Sequence, residues 1–386
     1  MQVNSFENRR HDVDWLRVLA LALLILYHLG MYYVHDWGWH VKSEQQSEWL
    51  QALMLWSNKW RMSLLFFVSG MTLAIIADKY RSFQLLKLRS LRLLVPLIFG
   101  MYIIVPPQLY YELLANGQAL ESYSSFWLQY IDLDTQLARE RHSIIGLLTW
   151  NHLWYLAYLW CYSCLFLLLK PALSTLVKSA AFQRLPGYIF AFLVALVLFL
   201  TWYFLRKQFP TTHDLINDWF NHAKYIGVML VGYLFVYRTD VWQKVINYRR
   251  RLMLVGTCTY LFLATDHFGM YPNMAELFKN NLSVQIAYGS IAVVNLWTWL
   301  LCMVGYAGRY LNKSSALLSY CNKAILPWYI LHQSLIVVFA ANLQSFALPA
   351  GLEALVILLL TVLTCFISYE IIKRLKATRF LFGLKV

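Results

Sequence analysis

Charged residues are scarce in this sequence. Only 13% of its 386 residues are Asp, Glu, Lys or Arg, and just 19 are acidic, whereas 60% are apolar. A soluble globular domain carries about 25% charged residues, so the composition excludes an ordinary soluble domain and indicates a polytopic membrane protein. The 16 Trp and 26 Tyr agree with this, because these residues favour membrane–water interfaces.

Cysteine is also infrequent, with six residues in 386. The cysteines fall in or at the ends of apolar stretches, away from the hydrophilic loops where disulfides would form, so we expect free thiols. Cys161-x-x-Cys164 is interpreted as helix packing. The sequence has no metal-ligand set of fixed spacing, no Gly-rich phosphate loop and no Ser-His-Asp signature, and we therefore expect no metal.

Long apolar runs dominate instead. About ten stretches are long enough to cross, or nearly cross, a hydrocarbon core, which takes about 20 helical residues. Their limits are 15–34, 61–77, 93–111, 152–169, 187–205, 223–237, 252–266, 283–307, 324–342 and 353–372. The predicted fold is an all-α polytopic membrane protein. It forms a single transmembrane domain over residues 1–386, in which the longest aqueous segment is about 112–151.

The 33 Lys and Arg residues are distributed unevenly between the two sides. With the N-terminus in the cytoplasm, most of them fall at the inner ends of the spans and most acidic residues fall outside. The positive-inside rule then places both termini in the cytoplasm and segment 112–151 in the periplasm. The net charge of +14 is therefore explained by topology and not by a nucleic-acid-binding face. The first span lacks a cleavage site behind it and is expected to remain.

Two ionisable residues lie inside that first span. Arg17 and His28 are eleven positions apart, a spacing that on an α-helix returns to within about 20° of one direction, about 16 Å further along the axis. Because a charged side chain buried in a span costs roughly 2.5 to 3.5 kcal/mol, such residues are commonly functional. The structural alternative is that Arg17 snorkels to the cytoplasmic edge and His28 is a hydrogen-bonded packing residue.

Two further patches lie at the ends of spans. In KLRSLRLLVP, residues 87–96, Arg89 and Arg92 are spaced to place two guanidinium groups side by side on a helix, which suits phosphate oxygens, although positive-inside anchoring explains them too. In RMSLLFFVSG, residues 61–70, Arg61 marks the outer end of a span and Ser69-Gly70 a small-residue break towards its inner end. Close helix packing is the default explanation of that break, and a pocket wall is the functional one.

These features, in this order, resemble the acyltransferase-3 family of integral membrane acyltransferases. The resemblance covers nearly the whole chain, is sharpest over residues 12–100, and rests on hydropathy alone over about 187–310. It is carried by Arg17 and His28, FFVSG at 66–70, Arg89-x-x-Arg92 leading into Pro96, HLWYL at 152–156 and YILH at 329–332. The segment WHVKSEQQSEWL at 39–50 is similar to the branch that contains glucan biosynthesis protein C.

The resemblance implies an O-acyltransferase of the bacterial inner membrane. Such an enzyme moves an acetyl or succinyl group from cytoplasmic acyl-CoA to a hydroxyl of a glycan or another exported acceptor, and the branch implies succinyl decoration of periplasmic glucans. The implied partners are membrane lipid, succinyl-CoA or acetyl-CoA, and a glucan, with no nucleic acid. No cofactor beyond the acyl donor is expected.

The resemblance also implies roles for the candidate residues. His28 is the catalytic candidate, as general base for the acceptor hydroxyl or as a nucleophile that forms an acyl-histidine. Arg17, in the catalytic set with His28, could pair with Asp14 and help Arg89 and Arg92 hold the phosphates of coenzyme A.

Five more residues are candidates for the substrate pocket: Arg61, Ser69, His152, Tyr329 and His332. Arg61, Ser69 or Tyr329 could donate to the oxyanion. His332 is equally explained as a satisfied core histidine, and His152 as part of an interfacial aromatic belt. Intramembrane Arg and His also mark transporters and proton-coupled carriers, but the related halves with broken helices typical of many carriers are missing from the sequence.

Overall fold

The computed structural model describes residues 10–385, and helix dominates that range. Apart from an isolated bridge between Ser143 and Gly146, no β-pairing occurs within it. The α-helices are α1 (His11–Tyr32), α2 (Glu48–Asn58), α3 (Arg61–Ile76), α4 (Ser82–Phe99), α5 (Pro106–Ala115), α6 (Tyr123–Ile131), α7 (Trp154–Lys178), α8 (Ala180–Arg184), α9 (Gly187–Leu205), α10 (Trp219–Val236), α11 (Thr239–His267), α12 (Met274–Asn280), α13 (Leu282–Tyr310), α14 (Ala316–Leu343), α15 (Ala350–Ile372) and α16 (Lys376–Leu381).

Eight helical segments within residues 10–385 are long and apolar enough to cross a membrane. They are His11–Tyr32, Glu48–Ile76, Ser82–Ala115, Asn151–Lys178, Gly187–Leu205, Leu282–Tyr310, Ala316–Phe346 and Ala350–Ile372. The prediction of an all-α polytopic membrane protein is confirmed. The predicted sixth and seventh spans are helical as α10 and α11 but are not among the eight. The count of ten and the cytoplasmic placement of both termini stay predictions.

The described chain divides into two compact units. Unit 1 comprises residues 10–20, 55–86 and 161–322, and unit 2 comprises residues 21–54, 87–160 and 323–385. The assignment of one transmembrane domain to the whole chain stays a prediction. All six cysteines are free thiols, as expected, and Cys161 and Cys164 lie on α7.

In unit 1, helices α3 and α10 approach each other closely through glycine. A Cβ at Gly70 would lie 1.8 Å from the Met229 carbonyl oxygen, and one at Gly232 would lie 2.0 Å from the Phe67 carbonyl oxygen. Neither position has room for a side chain, so the two backbones pack directly against each other. The expected break at Ser69-Gly70 is wrong, because α3 continues through it to Ile76. The packing explanation of Gly70 is confirmed.

In unit 2, α4 and α5 are joined by a π-helical turn, Gly100–Ile104. Pro106 and Pro107 follow after Val105 and lack the N–H groups that would bond the carbonyls one turn earlier. Side chains bond three carbonyls of the turn instead. Trp127 donates to the Tyr102 oxygen at 2.8 Å, Tyr130 to the Met101 oxygen at 3.0 Å and Ser334 to the Ile104 oxygen at 2.5 Å. The turn thereby connects α4 and α5 to α6 and α14.

Candidate functional site

Unit 2 brings three histidines together. His28 lies on α1, His152 in the short 3₁₀ turn before α7, and His332 on α14. The rings of His28 and His332 are stacked with centroids 5.0 Å apart, and the ring of His152 meets His332 edge-on at 5.5 Å. His332 is fully buried and His152 is buried. The structure therefore gathers three of the candidates predicted from sequence, drawn from distant parts of the chain.

Hydrogen bonds define which ring nitrogens carry protons in the His28–His332 pair. His332 Nδ1 lies 2.8 Å from the Tyr329 carbonyl oxygen and 3.1 Å from that of Trp328. Carbonyls only accept, so His332 Nδ1 carries the proton and neutral His332 Nε2 carries a lone pair. That Nε2 lies 2.9 Å from His28 Nδ1, which must then donate. Neutral His28 is left with its lone pair on Nε2, the arrangement that a general base requires.

His152 is held by a separate set of contacts. Its Nε2–H donates to the Ile330 carbonyl oxygen at 3.0 Å, and its Nδ1 accepts from the Gln108 amide at 3.2 Å. The Tyr329 hydroxyl donates to the His152 carbonyl oxygen. His152 is thus a buried, doubly bonded residue and not an exposed member of an interfacial belt. Tyr329 positions the turn that carries it, and its hydroxyl proton is already directed to a carbonyl.

Gln108 is the centre of a buried amide network beside these rings. Its amide nitrogen also donates to the Ser334 hydroxyl at 2.7 Å, and its carbonyl oxygen accepts from Gln333 at 2.9 Å and Asn151 at 3.2 Å. Gln108 is fully buried, and every hydrogen-bonding group of its side chain is satisfied. Satisfied buried networks of this kind hold their members in one geometry.

The network extends to the ion pair of Glu112 and Arg141. The second amide hydrogen of Gln333 points to His40 Nε2 at 3.2 Å, and His40 Nδ1 donates to the Glu112 carboxylate at 2.6 Å. The other oxygen of Glu112 accepts from Arg141. These bonds link residue 40, the end of α5 and the segment before α7 to the helix that carries His332.

The segment between α1 and α2 places an indole beside His28. The Trp39 ring lies 5.4 Å from the His28 ring and 5.3 Å from that of His40, centroid to centroid. The Trp39 indole nitrogen is buried and has no hydrogen-bond partner among residues 10–385. An unsatisfied buried donor costs about 1–3 kcal/mol. Five other indole nitrogens in this range are in the same state, and Trp39 is the one whose ring contacts His28.

Two contacts fasten this segment. The Lys42 ammonium donates to the Val34 oxygen at 2.5 Å and the Met31 oxygen at 2.9 Å, at the carboxyl end of α1, where a cation is favoured. Burial lowers the pKa of Lys42. The Tyr33 hydroxyl donates to buried Glu353 on α15 at 3.0 Å. Trp39 and His40 therefore lie on an anchored segment.

The predicted cationic residues lie elsewhere on the chain. Arg89 and Arg92 are both on α4 in unit 2, half-buried and exposed respectively, so the expected helical spacing is confirmed. Arg17 belongs to unit 1, where it pairs with Asp14 at 3.2 Å, as predicted, and donates to the Thr72 hydroxyl.

Arg61 and Ser69 also belong to unit 1, both on α3. Arg61 is buried and donates to Ser57 at 3.3 Å, and Ser69 is half-buried beside Gly70. Within the described chain, no group of three His, Cys, Asp or Glu residues has the geometry to hold a metal ion.

Sequence reasoning missed Trp39, His40, Gln108, Glu112 and Gln333. One usable signal was present: Gln108, Glu112 and Gln333 are polar residues inside or at the end of apolar stretches, the same anomaly that identified Arg17 and His28. Trp39 and His40 lie in a hydrophilic connection, where no period in the sequence distinguishes a buried residue.

Comparison with known proteins identifies the family of this chain. The model of the acyltransferase-3 family, described as an acyltransferase domain, matches residues 10–370. Glucans biosynthesis protein C of Escherichia coli O1:K1 is 24% identical over 379 residues, covering 97% of this chain and 94% of the relative. The protein of that name from Escherichia coli K12 is 24% identical over 409 residues, with the same coverage. No solved structure gives a significant match.

Proposed function

Because the chain belongs to the acyltransferase-3 family of membrane acyltransferases, we propose that it transfers a succinyl or acetyl group from cytoplasmic acyl-CoA to a hydroxyl of an exported glycan. Its curated relatives are named for glucan biosynthesis. We therefore take a periplasmic glucan as the acceptor and succinyl as the acyl group, and place the protein in the inner membrane of a bacterium.

The observation that carries the proposal is the 2.9 Å contact between His28 Nδ1 and His332 Nε2. It leaves the lone pair of neutral His28 on Nε2, where it accepts the proton of the acceptor hydroxyl. The hydroxyl oxygen attacks the thioester carbonyl carbon, and the C–S bond breaks as the tetrahedral intermediate collapses. The imidazolium of His28 then returns the proton to the coenzyme A thiolate. A positioned base of this kind contributes about 10² to 10⁴-fold.

His332 stabilises the charged state of His28 in this scheme. While His28 holds the extra proton, its Nδ1–H remains directed at His332 Nε2, and His332 in turn donates to two backbone carbonyls. The partial negative charge of those carbonyl oxygens favours positive charge on His28, because the chain of hydrogen bonds transmits it through His332. His152, Tyr329 and Gln108 hold the surrounding backbone. An acyl-histidine on His28 Nε2 is the two-step version of the same proposal.

The oxyanion requires a donor, and Trp39 supports that role. Its buried indole N–H lies beside His28 and has no protein acceptor among the residues described. A donor that is in place and unsatisfied before the reaction gains a hydrogen bond when negative charge develops on the thioester oxygen, and that bond stabilises the oxyanion. Trp39 replaces Arg61, Ser69 and Tyr329 as our first choice for this role.

We assign donor binding to the cations of α4. Arg89 and Arg92 are one helical turn apart, and guanidinium groups bind phosphate oxygens in pairs, which Lys cannot do. Arg17, held by Asp14 and Thr72, is proposed to assist on the donor side.

The test is release of coenzyme A from succinyl-CoA and from acetyl-CoA by the purified protein, with and without a periplasmic glucan. We expect release that depends on the glucan, loss of that release in His28→Ala, and a raised KM for the donor in Arg89→Lys. His35→Ala is the matched control, since the His35 side chain is 78% exposed. Folded protein that binds no thioester in any form would overturn the proposal and favour a carrier.

A further inference from the structure

Unit 1 contains a cavity of about 700 Å³ that the proposed acyl transfer does not use. It lies between the first half of α7, the end of α9, the first half of α10 and the connection between the last two. Apolar side chains form most of its wall, including Leu165, Leu205, Phe209, Leu215, Trp219 and Ile226. A volume of this size is in the range of small-molecule sites, and this lining suits hydrocarbon.

The polar groups in the wall are already bonded within the protein. The Tyr162 hydroxyl lies 2.9 Å from His222 Nδ1, and His222 Nε2 donates to the Leu215 carbonyl oxygen at 2.7 Å. Since carbonyls only accept, His222 Nδ1 carries a lone pair and takes the Tyr162 proton. The cavity therefore offers an occupant contacts with apolar surface and few hydrogen-bonding groups.

Basic residues lie beside this apolar wall. Arg206 directly follows the lining residue Leu205, and Lys224 directly follows the lining residue Ala223. Lys59 and Arg206 both repel Lys224 electrostatically. None of these three cations forms a salt bridge with a carboxylate in the described range, residues 10–385. The Lys224 ammonium instead donates to the Asn221 side chain at 2.7 Å and lies 4.1 Å from the centre of the Tyr225 ring.

The buried carboxylate of Asp218 attracts Lys224 electrostatically, but other donors share its oxygens. Asp218 is fully buried, and its two oxygens accept from the Asn221 amide and from the backbone N–H groups of Thr212 and His213. Asp214 is exposed and accepts from the backbone of residues 216 and 217. Lys59 and Arg206 are exposed and form no salt bridge with a carboxylate among residues 10–385, so they leave positive charge next to the apolar cavity.

We propose that this site binds an anionic phospholipid, with an acyl chain in the cavity and the phosphate near Lys59, Arg206 and Lys224. The two halves of such a lipid match the two halves of the site, one apolar and one cationic. A zwitterionic phospholipid would fill the cavity equally well but carries no net charge for the cations. The site is independent of acyl transfer, because none of its residues belongs to the histidine cluster.

The experiment is native mass spectrometry of the delipidated full chain in detergent, titrated with dioleoyl-phosphatidylglycerol or dioleoyl-phosphatidylcholine. We expect one tightly bound phosphatidylglycerol and a clear preference for it. The variant Lys59→Gln/Arg206→Gln removes two exposed cations and should weaken that preference about 25-fold, at about fivefold for each cation near the membrane surface. The control Lys279→Gln/Lys313→Gln removes two exposed cations elsewhere in unit 1 and should leave the preference unchanged.

A second variant tests the apolar half of the site. Ala223→Phe fills the cavity and should reduce phosphatidylglycerol binding, while soluble glycerol 3-phosphate should fail to compete. Equal binding of the two lipids, or an unchanged preference in Lys59→Gln/Arg206→Gln, would overturn the proposal. Efficient competition by glycerol 3-phosphate would overturn it as well, since the site would then be an anion site without a lipid chain.

Discussion

His28 and His332, which are 304 residues apart in the chain, lie with their rings within 3° of parallel and their Nδ1 and Nε2 atoms 2.9 Å apart. His332 in turn donates to two carbonyls of its own helix. Because the orientation of one imidazole depends on the other, the pair should act as a unit, and a change at His332 should be felt at His28.

Replacing His332 tests this dependence. We expect His332→Ala to lower kcat on the order of 10²-fold with little change in the donor KM, because His28 loses the group that orients it and stabilises its charged state. His332→Gln keeps a side-chain acceptor and should recover part of the loss. Steady-state kinetics measures both variants, and binding of succinyl-CoA confirms that each is folded. Equal kcat in His332→Ala and the unmodified protein would show that His332 is only a core residue.

Trp39→Phe removes the unsatisfied indole N–H and keeps an aromatic ring. If that N–H stabilises the oxyanion, kcat should fall on the order of 10²-fold while donor binding is retained. Thermal stability should not fall, since the substitution removes a buried donor that has no partner in the described chain. The control is Trp127→Phe, which loses a bond to the Tyr102 carbonyl and should leave kcat unchanged. An unchanged kcat in Trp39→Phe would exclude the indole N–H as the oxyanion donor.

Glu112→Gln addresses the network that leads from Arg141 through His40 to Gln333. The substitution removes the closer of the two carboxylate partners of Arg141 and weakens the bond from His40, at a cost of about 1–3 kcal/mol of unfolding free energy. We expect a lower melting temperature and about a tenfold lower kcat, because Gln333 and His332 are neighbours on α14. Glu140→Gln is the comparison, since Glu140 is 69% exposed and lies 3.8 Å from Arg141. An equal kcat and an equal melting temperature in Glu112→Gln and Glu140→Gln would contradict a positioning role for Glu112.

Gly232→Ala tests the close approach of α3 and α10. A Cβ there would lie 2.0 Å from the Phe67 carbonyl oxygen, so the helices must separate, and we expect a loss of about 1–3 kcal/mol or more. Gly227 lies on the same helix with nothing within 4 Å of a Cβ, and Gly227→Ala should stabilise by about 0.5–1 kcal/mol through helix propensity. Thermal melting in detergent measures both. The two substitutions are expected to change the free energy of unfolding in opposite directions. Destabilisation of equal size in both variants would show that neither effect depends on the helix contact.

The sequence by itself determined the helical, membrane-spanning class of this protein. A span must satisfy its own backbone hydrogen bonds in lipid, so a run of about 20 apolar residues specifies a helix without reference to the rest of the fold. The fifth predicted span, 187–205, coincides with α9 for this reason. The same rule made His28, Arg17 and His332 conspicuous, because ionisable residues are expensive at such positions.

Tertiary structure alone decided which of these residues meet. The partners of His28 and Gln108 come from helices far apart in the chain, and the periodicity of one helix carries no information about the face of another. Trp39 and His40 are half-buried because Lys42 and Tyr33 fasten a hydrophilic connection against α1 and α15. The proton positions followed last. The carbonyls that fix the His332 proton belong to its own helix, but only the folded chain brings His28 to His332 and His152 to the Ile330 carbonyl.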